Sequence, residues 1–469
     1  MKALFRGLRR HRTALTISIY RAVLYGGLMV IFFALMQIHN IGLRNPSRTM
    51  ASTLLTHVAM TFAMSTVYGG YDVGRRKSKP IISGLSLAAI VTDAVTYLQL
   101  QIMNVNENNN DHLVIFGNDF PLLLLCIVLQ VIFIIYMGYR GNSTFFKLNP
   151  PQDCLLVLGH MERREVCQRK IGRYKLQWKV TDVALWDEPD LRTRIDRAQV
   201  VFMDSEIPGQ AKQNLLKVCY DLRRDVLCKA QLQDIMLSSA RQVVIDDAPF
   251  LEMDYRKMTL SQRIVKRLMD IAVSVLVLAV FSPVMAAIAL CIRLEDGAPV
   301  IFRQARMTVA GRTFIIYKFR TMRRDAPHDN EVSVRRDDPR ITRVGETLRR
   351  YRLDELPQFW NILKGDMTLV GPRPEMLENV ERYKLELPAF VYREKMKAGL
   401  TGYAQIEGRY NTTPEDKLML DLLYIENFSL WEDVKLMFRT FTVFFKTDST
   451  QGFSQEVSPE ANDDRNISA

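Results

Sequence analysis

The sequence predicts a composite membrane protein. A helical bundle of four spans comes first, a degenerate Rossmann-like α/β domain second, and a mostly helical α+β domain with a re-entrant membrane helix third. Three observations predict it. Four long apolar runs in the first third of the 469-residue chain carry almost no charge. Short apolar strands then alternate with amphipathic stretches. A fifth apolar segment follows, flanked by basic residues on both sides and interrupted by a proline.

A bilayer crossing needs about 20 residues at a rise of about 1.5 Å each. Runs near 14–36, 50–70, 81–103 and 120–139 meet that length, the second being weakened by Thr, Ser and His57. "KALFRGLRRHR" precedes the first run and "RRKSK" (75–79) joins the second to the third, whereas the Asn-rich loop 104–119 holds no Lys or Arg. Cytoplasmic loops are enriched in Lys and Arg, so both ends of the bundle are expected inside and the Asn-rich loop outside. No small-residue cleavage motif follows the first run, and a removable signal peptide is not expected. This transmembrane region is assigned to 1–145.

Over 150–250 the pattern changes. "DCLLVLGH", "QVVFMDSE" (199–206) and "RQVVIDD" (241–247) read as strands separated by helical periodicity, the signature of a parallel sheet. A dinucleotide site would want G-x-G-x-x-G after the first strand, but only Gly159 is present. A structural or assembly role is the favoured reading.

The segment 266–292, with "LMDIAVSVLVLAVFSPVMAAIALCI" at its heart, is long enough to span. Yet fifteen Lys/Arg lie between Arg293 and Arg352, and basic residues also precede it. Both ends are therefore expected on the cytoplasmic side. Proline removes a helical hydrogen bond, and a neighbouring serine can satisfy the freed carbonyl. Ser282 and Pro283 are accordingly the expected break of a helix that enters one leaflet and returns; a proline-kinked spanning helix is the alternative.

The formal net charge of +12 points to anionic partners, and the six scattered cysteines, without a C-x-x-C pair, argue against a zinc site or a disulfide framework. The cations concentrate after residue 300. "TFIIYKFRTM" places Lys318 and Arg320 on one strand face, "RRYR" contributes Arg349, and the rigid turn "GPRP" fixes Arg373. Arginine forks suit phosphate oxygens and lysine adds a point charge, so a diphosphate substrate would explain the set. Directly behind "RRYR" stand Asp354 and Glu355, at the start of the expected short helix "DELPQFWNIL". An electropositive helix N-terminus would lower a carboxylate pKa there. An ionised Asp can attack phosphorus, and an adjacent carboxylate can hold Mg²⁺. A lone acidic dipeptide is more often an N-cap; the surrounding cations favour chemistry.

"KFRTM", "DPRITRVG", "RRYRLDELPQFWNILKGDMTLVGPRPE" and "GLTGYAQIEGR" closely resemble the bacterial sugar transferase family, the monotopic polyprenyl-phosphate hexose-1-phosphate (phosphoglycosyl) transferases. The resemblance runs over about 262–446. The preceding spans and Rossmann-like segment resemble the longer members, which start capsule or exopolysaccharide repeat units. It implies transfer of a sugar-1-phosphate from a UDP-sugar to undecaprenyl phosphate, with release of UMP and with Mg²⁺ as cofactor. Asp354 would be the nucleophile, Glu355 the metal-binding partner, and Lys318, Arg320, Arg349 and Arg373 the phosphate-contacting cations. The implied address is the bacterial inner membrane, with the catalytic domain on the cytoplasmic face against lipid. Two departures touch neither carboxylate: Thr308 replaces a usual glycine, and Ala398 stands where proline is common.

Other features are less specific. "WEDVKLMFRTFTVFFK" (431–446) suits an interfacial helix or packing against the catalytic domain, Asp421 suits support of the site or a solvated face, and 447–469 reads as a disordered tail. An inactive scaffold of polysaccharide assembly is the runner-up function. A nucleic-acid partner is not expected, because aromatics do not interleave with the basic residues. Homo-oligomerisation stays open.

Overall fold

The computed structural model describes residues 2–74, 77–107, 115–253, 258–324, 338–408 and 412–442. The chain divides into two compact units, Met1–Gln231 and Leu232–Ala469. In the first, α1 (Lys2–Met36), α2 (Arg48–Tyr68), α3 (Ser78–Glu107) and α4 (Asp119–Leu148) contain the four expected apolar runs. Together with one helix of the second unit, five helices among the described residues are long and apolar enough to cross a membrane; this is a membrane protein.

Polar side chains of the bundle turn inward, since an unpaired polar group in hydrocarbon costs several kcal/mol. Asp93, fully buried, accepts from Cys126 Sγ (3.6 Å) and Gln130 Nε2 (3.4 Å). Asp119 gathers His39 Nδ1, Asn40 Nδ2 and Gln101 Nε2 within 3.2 Å. His57, which weakens the second run by composition, packs against the rings of Phe32 and Phe33. Arg75 and Arg76, and residues 108–114 of the Asn-rich loop, lie outside the described residues.

Strands β1 (Gln152–Leu158), β2 (Trp178–Leu185), β3 (Val200–Met203) and β4 (Asp225–Cys228) form a parallel sheet of order β2-β1-β3-β4, with α5 (Arg164–Gly172), α6 (Leu191–Arg197) and α7 (Gly209–Asp221) as connections. The expected strands at 153–160 and 199–206 are β1 and β3. The stretch 241–247 is not in this sheet. Asp246 and Asp247 both take positive φ, 47° and 66°, and close a two-residue turn that folds β5 (Arg241–Ile245) antiparallel onto β6 (Ala248–Glu252). That hairpin belongs to the second unit, after α8 (Leu232–Leu237). At the carboxyl ends of β1 and β3, where doubly wound sheets bind nucleotides, Arg163 pairs with Asp204 (2.9 Å) and Glu206. A Cβ on Gly159 would lie 2.6 Å from the Glu206 backbone. Two carboxylates and a closed approach make a poor pyrophosphate cradle.

The second unit is built around α9 (Leu260–Asp296), a 37-residue helix opened by a Thr259/Gln262 capping box. The expected interruption at Ser282–Pro283 is not a gap, for the helix is continuous through both residues. Pro283 cannot donate to the carbonyl of Ala279, and Ser282 Oγ donates to that carbonyl instead, at 2.8 Å. Both ends of α9 are bonded within the same unit. Arg267 donates to the carbonyls of Ile362 and Leu363, and Asp270 accepts from Thr368 Oγ1 and the Leu369 N–H. At the other end Asp296 meets Arg320, and Ile288 and Ile292 pack with Phe319 and Leu348. Most side chains between these anchors are exposed and apolar.

The rest is a small α+β body. β7 (Ile301–Met307) pairs antiparallel with β8 (Thr313–Phe319), followed by α10 (Arg343–Arg350), a 3₁₀ turn at Leu353–Glu355 and α11 (Gln358–Lys364). β9 (Thr368–Val370) pairs parallel with β10 (Gly399–Thr401), with α12 (Leu377–Glu386) between them in sequence and α13 (Tyr403–Glu407), α14 (Pro414–Glu426) and α15 (Leu430–Thr440) after. Phe390, Ile362, Leu418, Leu422 and Leu436 centre the core. α15 packs against this body through Leu436 and Asp433; residues 443–469 lie outside the described residues, and the expected tail with them.

Lys266 Nζ is buried between Asp433, the Val370 carbonyl (2.9 Å) and Tyr424 Oη (3.3 Å), tying α9 to β9, α14 and α15. Removing one partner of such a pair leaves an uncompensated buried charge, at a cost of about 3–5 kcal/mol. Lys266→Met is therefore expected to lower the thermal unfolding midpoint markedly in detergent, and Lys266→Met with Asp433→Leu to recover most of the loss. A single variant that melts with the wild type would refute the assignment.

Candidate active site

Three short elements converge on Asp354 and Glu355. The dyad sits in the 3₁₀ turn, entered through Arg352 at φ 52°. Left-handed backbone is uncommon for arginine and reverses the chain between α10 and the turn. Leu353 and Leu356, on either side of the dyad, pack into the apolar cluster made by Ile288, Ile292, Phe319 and Leu348. Pro357 then precedes α11, so the dyad stands one turn ahead of that helix and not in its first turn, as the sequence suggested.

The consequence is electrostatic. Burial raises the Asp354 pKa, and the neighbouring Glu355 charge raises it further; Lys318 and Arg349 oppose them, leaving it at about 6. The expectation of a lowered pKa is thus reversed for Asp354, because desolvation and a like charge outweigh the helix end. For Glu355 burial also pushes upward, but Lys318, Arg352 and Arg373 outweigh it and hold the group near 2. Lys318 Nζ lies 3.0 Å from Glu355 Oε1. Lys318 thus compensates Glu355 directly, and Asp354 is the less compensated of the two.

The other expected cations divide. Arg349, on α10, donates from Nε to Thr321 Oγ1 (2.8 Å) and bears on Asp354. Arg373 is exposed between Pro372 and Pro374, and its charge bears on Glu355. Arg320 is placed differently. It is buried, and its Nη2 donates to the carbonyls of Asp296 (2.8 Å) and Gly297 (2.9 Å) at the end of α9, with Nε and Nη1 unpartnered among the described residues. Ser282 and Pro283 lie in mid-helix within α9, apart in sequence from the dyad's elements.

Sequence reasoning missed Arg352, Arg306 and Arg393. Arg306 donates to the Pro374 carbonyl (3.1 Å), and Arg393 donates to the Arg373 carbonyl (2.6 Å) while pairing with Asp421 at 2.7 Å. The "GPRP" turn is thus held from two sides. Asp421 is buried, not solvated; its pKa is raised to about 6, burial outweighing Arg393. Glu375 is held below the usual range because Lys417, Arg393, Arg373 and Arg306 outweigh its burial. The contacts of Arg306 and Arg393 carry no local signal, since each joins positions far apart in sequence, whereas Arg352 stands three residues before Glu355 at the end of "RRYR".

The family model described as bacterial sugar transferase matches residues 261–447, the span that contains every one of these groups. The UDP-N-acetylgalactosamine-undecaprenyl-phosphate N-acetylgalactosaminephosphotransferase of Aeromonas hydrophila is 36% identical over 331 residues, covering 70% of this chain and 72% of the relative. The chain belongs to the bacterial sugar transferase family. It is an enzyme of the phosphoglycosyl transferase class. The UDP-glucose:undecaprenyl-phosphate glucose-1-phosphate transferase of Escherichia coli (strain K12) is 41% identical over 183 residues, 38% of this chain and 39% of the relative. A galactosyl transferase of Streptococcus agalactiae is 40% identical over 195 residues, 39% of this chain and 42% of the relative.

The two departures from the family pattern meet in space. Thr308 Oγ1 donates to the Asp366 carbonyl (3.1 Å) and accepts from the Ala398 N–H (3.1 Å). Thr308 takes φ −132°, which needs no glycine, and the bond it accepts needs a residue other than proline at 398. The pair is self-consistent. Ala398→Pro is expected to cost about 0.5–1.5 kcal/mol by removing one of the two hydrogen bonds of the Thr308 hydroxyl. Adding Thr308→Gly should cost less than the sum of the two single effects in thermal melts, and simple additivity would show that the residues are not coupled.

Proposed function

We propose that the protein transfers a sugar-1-phosphate from a UDP-sugar to undecaprenyl phosphate, releasing UMP, through an aspartyl-phosphosugar intermediate. The observation that carries this reading is the unequal compensation of the dyad. Lys318 engages Glu355 at 3.0 Å, while Asp354 beside it is less well compensated. The relatives' names support the donor and acceptor classes: two of the three name undecaprenyl phosphate, and the three name three different sugars.

In the first half-reaction an Asp354 oxygen forms a bond to the β-phosphorus as the bond to the bridging oxygen breaks. UMP departs with that electron pair. A phosphate oxygen of undecaprenyl phosphate then bonds to the same phosphorus and the Asp354 carboxylate leaves, which yields the undecaprenyl diphosphate sugar and restores the enzyme. The acyl-phosphate conserves the reactivity of the diphosphate, so the second step need not be uphill. Lys318, Arg349 and Arg373 steady phosphate oxygens by charge. Arg320 is given a supporting place instead, on the end of α9.

Mg²⁺ fits the donor set. That ion is commonly bound by one or two carboxylates plus substrate phosphates, and among the described residues no group of three or more candidate ligands is present. Glu355 would hold it, and the ion would neutralise charge on the diphosphate.

The membrane arrangement belongs to the same reading. A straight helix from Lys266 to Asp296 would be roughly 45 Å long. The anchors at its two ends lie on one small polar body, on elements that touch each other: Asn361 of α11 bonds β8 at Ile315 and Tyr317. This supports a helix that bends at Pro283 and returns to the cytoplasmic face of the inner membrane. The lipid phosphate would reach Asp354 along its apolar surface, in a reaction that starts a capsule or exopolysaccharide repeat unit.

UMP release is expected from at least one member of a panel of UDP-glucose, UDP-galactose and UDP-N-acetylgalactosamine with undecaprenyl phosphate. With donor alone, the peptide containing Asp354 should gain the mass of one sugar-phosphate, and double-reciprocal plots should be parallel. Asp354→Asn should abolish both. Intersecting lines without a trapped adduct would remove the nucleophile role.

For topology, a cysteine label at position 293 should react only from the cytoplasmic side of sealed cells. Reaction from outside would sink the re-entrant arrangement.

A further inference from the structure

The last turn of α9 carries two consecutive carboxylates, Glu295 and Asp296, that the reaction chemistry does not use. Glu295 accepts the backbone N–H of Arg343 on Oε1 (2.8 Å) and that of Val344 on Oε2 (3.1 Å). These are among the first donors of α10, which no intrahelical carbonyl can satisfy. Thr342, the N-cap, takes the Gly345 N–H at 2.9 Å. The amino end of α10 is therefore capped jointly by its own threonine and by the membrane helix.

α10 is otherwise held by Leu348 and Val344 in the apolar cluster with Ile288 and Ile292, and by the Thr342 N–H on the Thr321 carbonyl (3.1 Å). Eight residues make a marginal helix by themselves, and only Gly345 and Leu348 are buried. At Gly345 a Cβ would stand 2.1 Å from the Thr321 carbonyl oxygen, so the helix lies directly on the chain that leaves β8. Its other end carries Arg349, which donates to Thr321 Oγ1 and whose carbonyl accepts the Arg352 N–H (3.3 Å), while the Arg352 carbonyl accepts the Glu355 N–H (3.3 Å), so α10 runs straight into the dyad's turn. The Glu295 carboxylate thus sits at one end of a short rigid element and the dyad's cation at the other.

We infer that Glu295 is a positioning residue for the transferase reaction: it holds α10 so that Arg349 keeps its place at the entry to the dyad's turn, and so ties the end of the membrane helix to the reacting carboxylate. The inference rests on Asp354 being the group that reacts. Asp296 makes the companion contact, pairing with Arg320 (3.1 Å) and accepting the Arg324 N–H (2.9 Å), so the same turn of α9 also fixes the chain just past Lys318.

The test is a double-mutant cycle on the full chain in detergent or nanodiscs. It measures UMP release per folded molecule, and adduct formation on Asp354 with donor alone. Glu295→Ala is expected to slow adduct formation on the order of 10- to 100-fold, comparable to Arg349→Ala, because a catalytic group displaced by about 1 Å costs rates of that size. The double variant should be no slower than Arg349→Ala alone. Glu295→Gln, which keeps the chain length and an acceptor oxygen, should recover part of the rate. A merely structural cap would lower the melting point and multiply with Arg349→Ala. Multiplicative effects, or an unchanged rate in Glu295→Gln and Glu295→Ala, overturn the inference. An active Asp354→Asn, by contrast, overturns the reading beneath it.

Discussion

Two adjacent carboxylates cannot both stay ionised in a half-buried turn unless cations are fixed beside them. Unit charges about 5 Å apart repel by about 3 kcal/mol at an effective dielectric of about 20, and burial adds to that cost. Much of the second unit's architecture answers this constraint. Lys318 comes from a strand, Arg349 from a helix, Arg352 from a strained turn and Arg373 from a proline-flanked turn, and all four charges reach the dyad. They do not compensate it evenly: Lys318 pairs with Glu355 (3.0 Å), and Asp354 is the less compensated of the two.

Cations packed so closely repel one another too, and the fold contains a second layer of groups that manages this. Arg306 is pushed down to about 10 by burial and by Arg373, while Glu375 and Asp421 are buried beside Arg393 and Lys417. This layer bonds backbone carbonyls of the "GPRP" turn, which converts charge compensation into geometric precision. The same device recurs where α9 joins the body, through Lys266 and Asp433 at one end and Asp296 and Arg320 at the other. An apolar helix anchored at both ends by buried polar bonds is held at a set depth and angle relative to the dyad.

The first unit is built differently. Its bundle hides Asp93 and Asp119 among neutral hydrogen-bonding partners and His39, and its parallel sheet closes the nucleotide crevice with Arg163, Asp204 and Glu206. Neither arrangement concentrates cations as the second unit does. The span matched by the family model, 261–447, lies wholly in the second unit.

Local chemistry was enough to determine a good deal. Apolar length located the helices long enough to cross a membrane, because crossing hydrocarbon imposes a minimum run. The acidic pair behind "RRYR", the "GPRP" turn and Lys318 were legible because sequence neighbours and proline rigidity dictate them. Tertiary structure decided what depends on distance between remote positions. It turned 241–247 back on itself through two left-handed aspartates, moved Arg320 from the dyad to the end of α9, and buried Asp421 against Arg393. It also reversed the sign of the Asp354 shift. A pKa reports how much water and which charges surround a group, and that is settled only when the chain has closed around it.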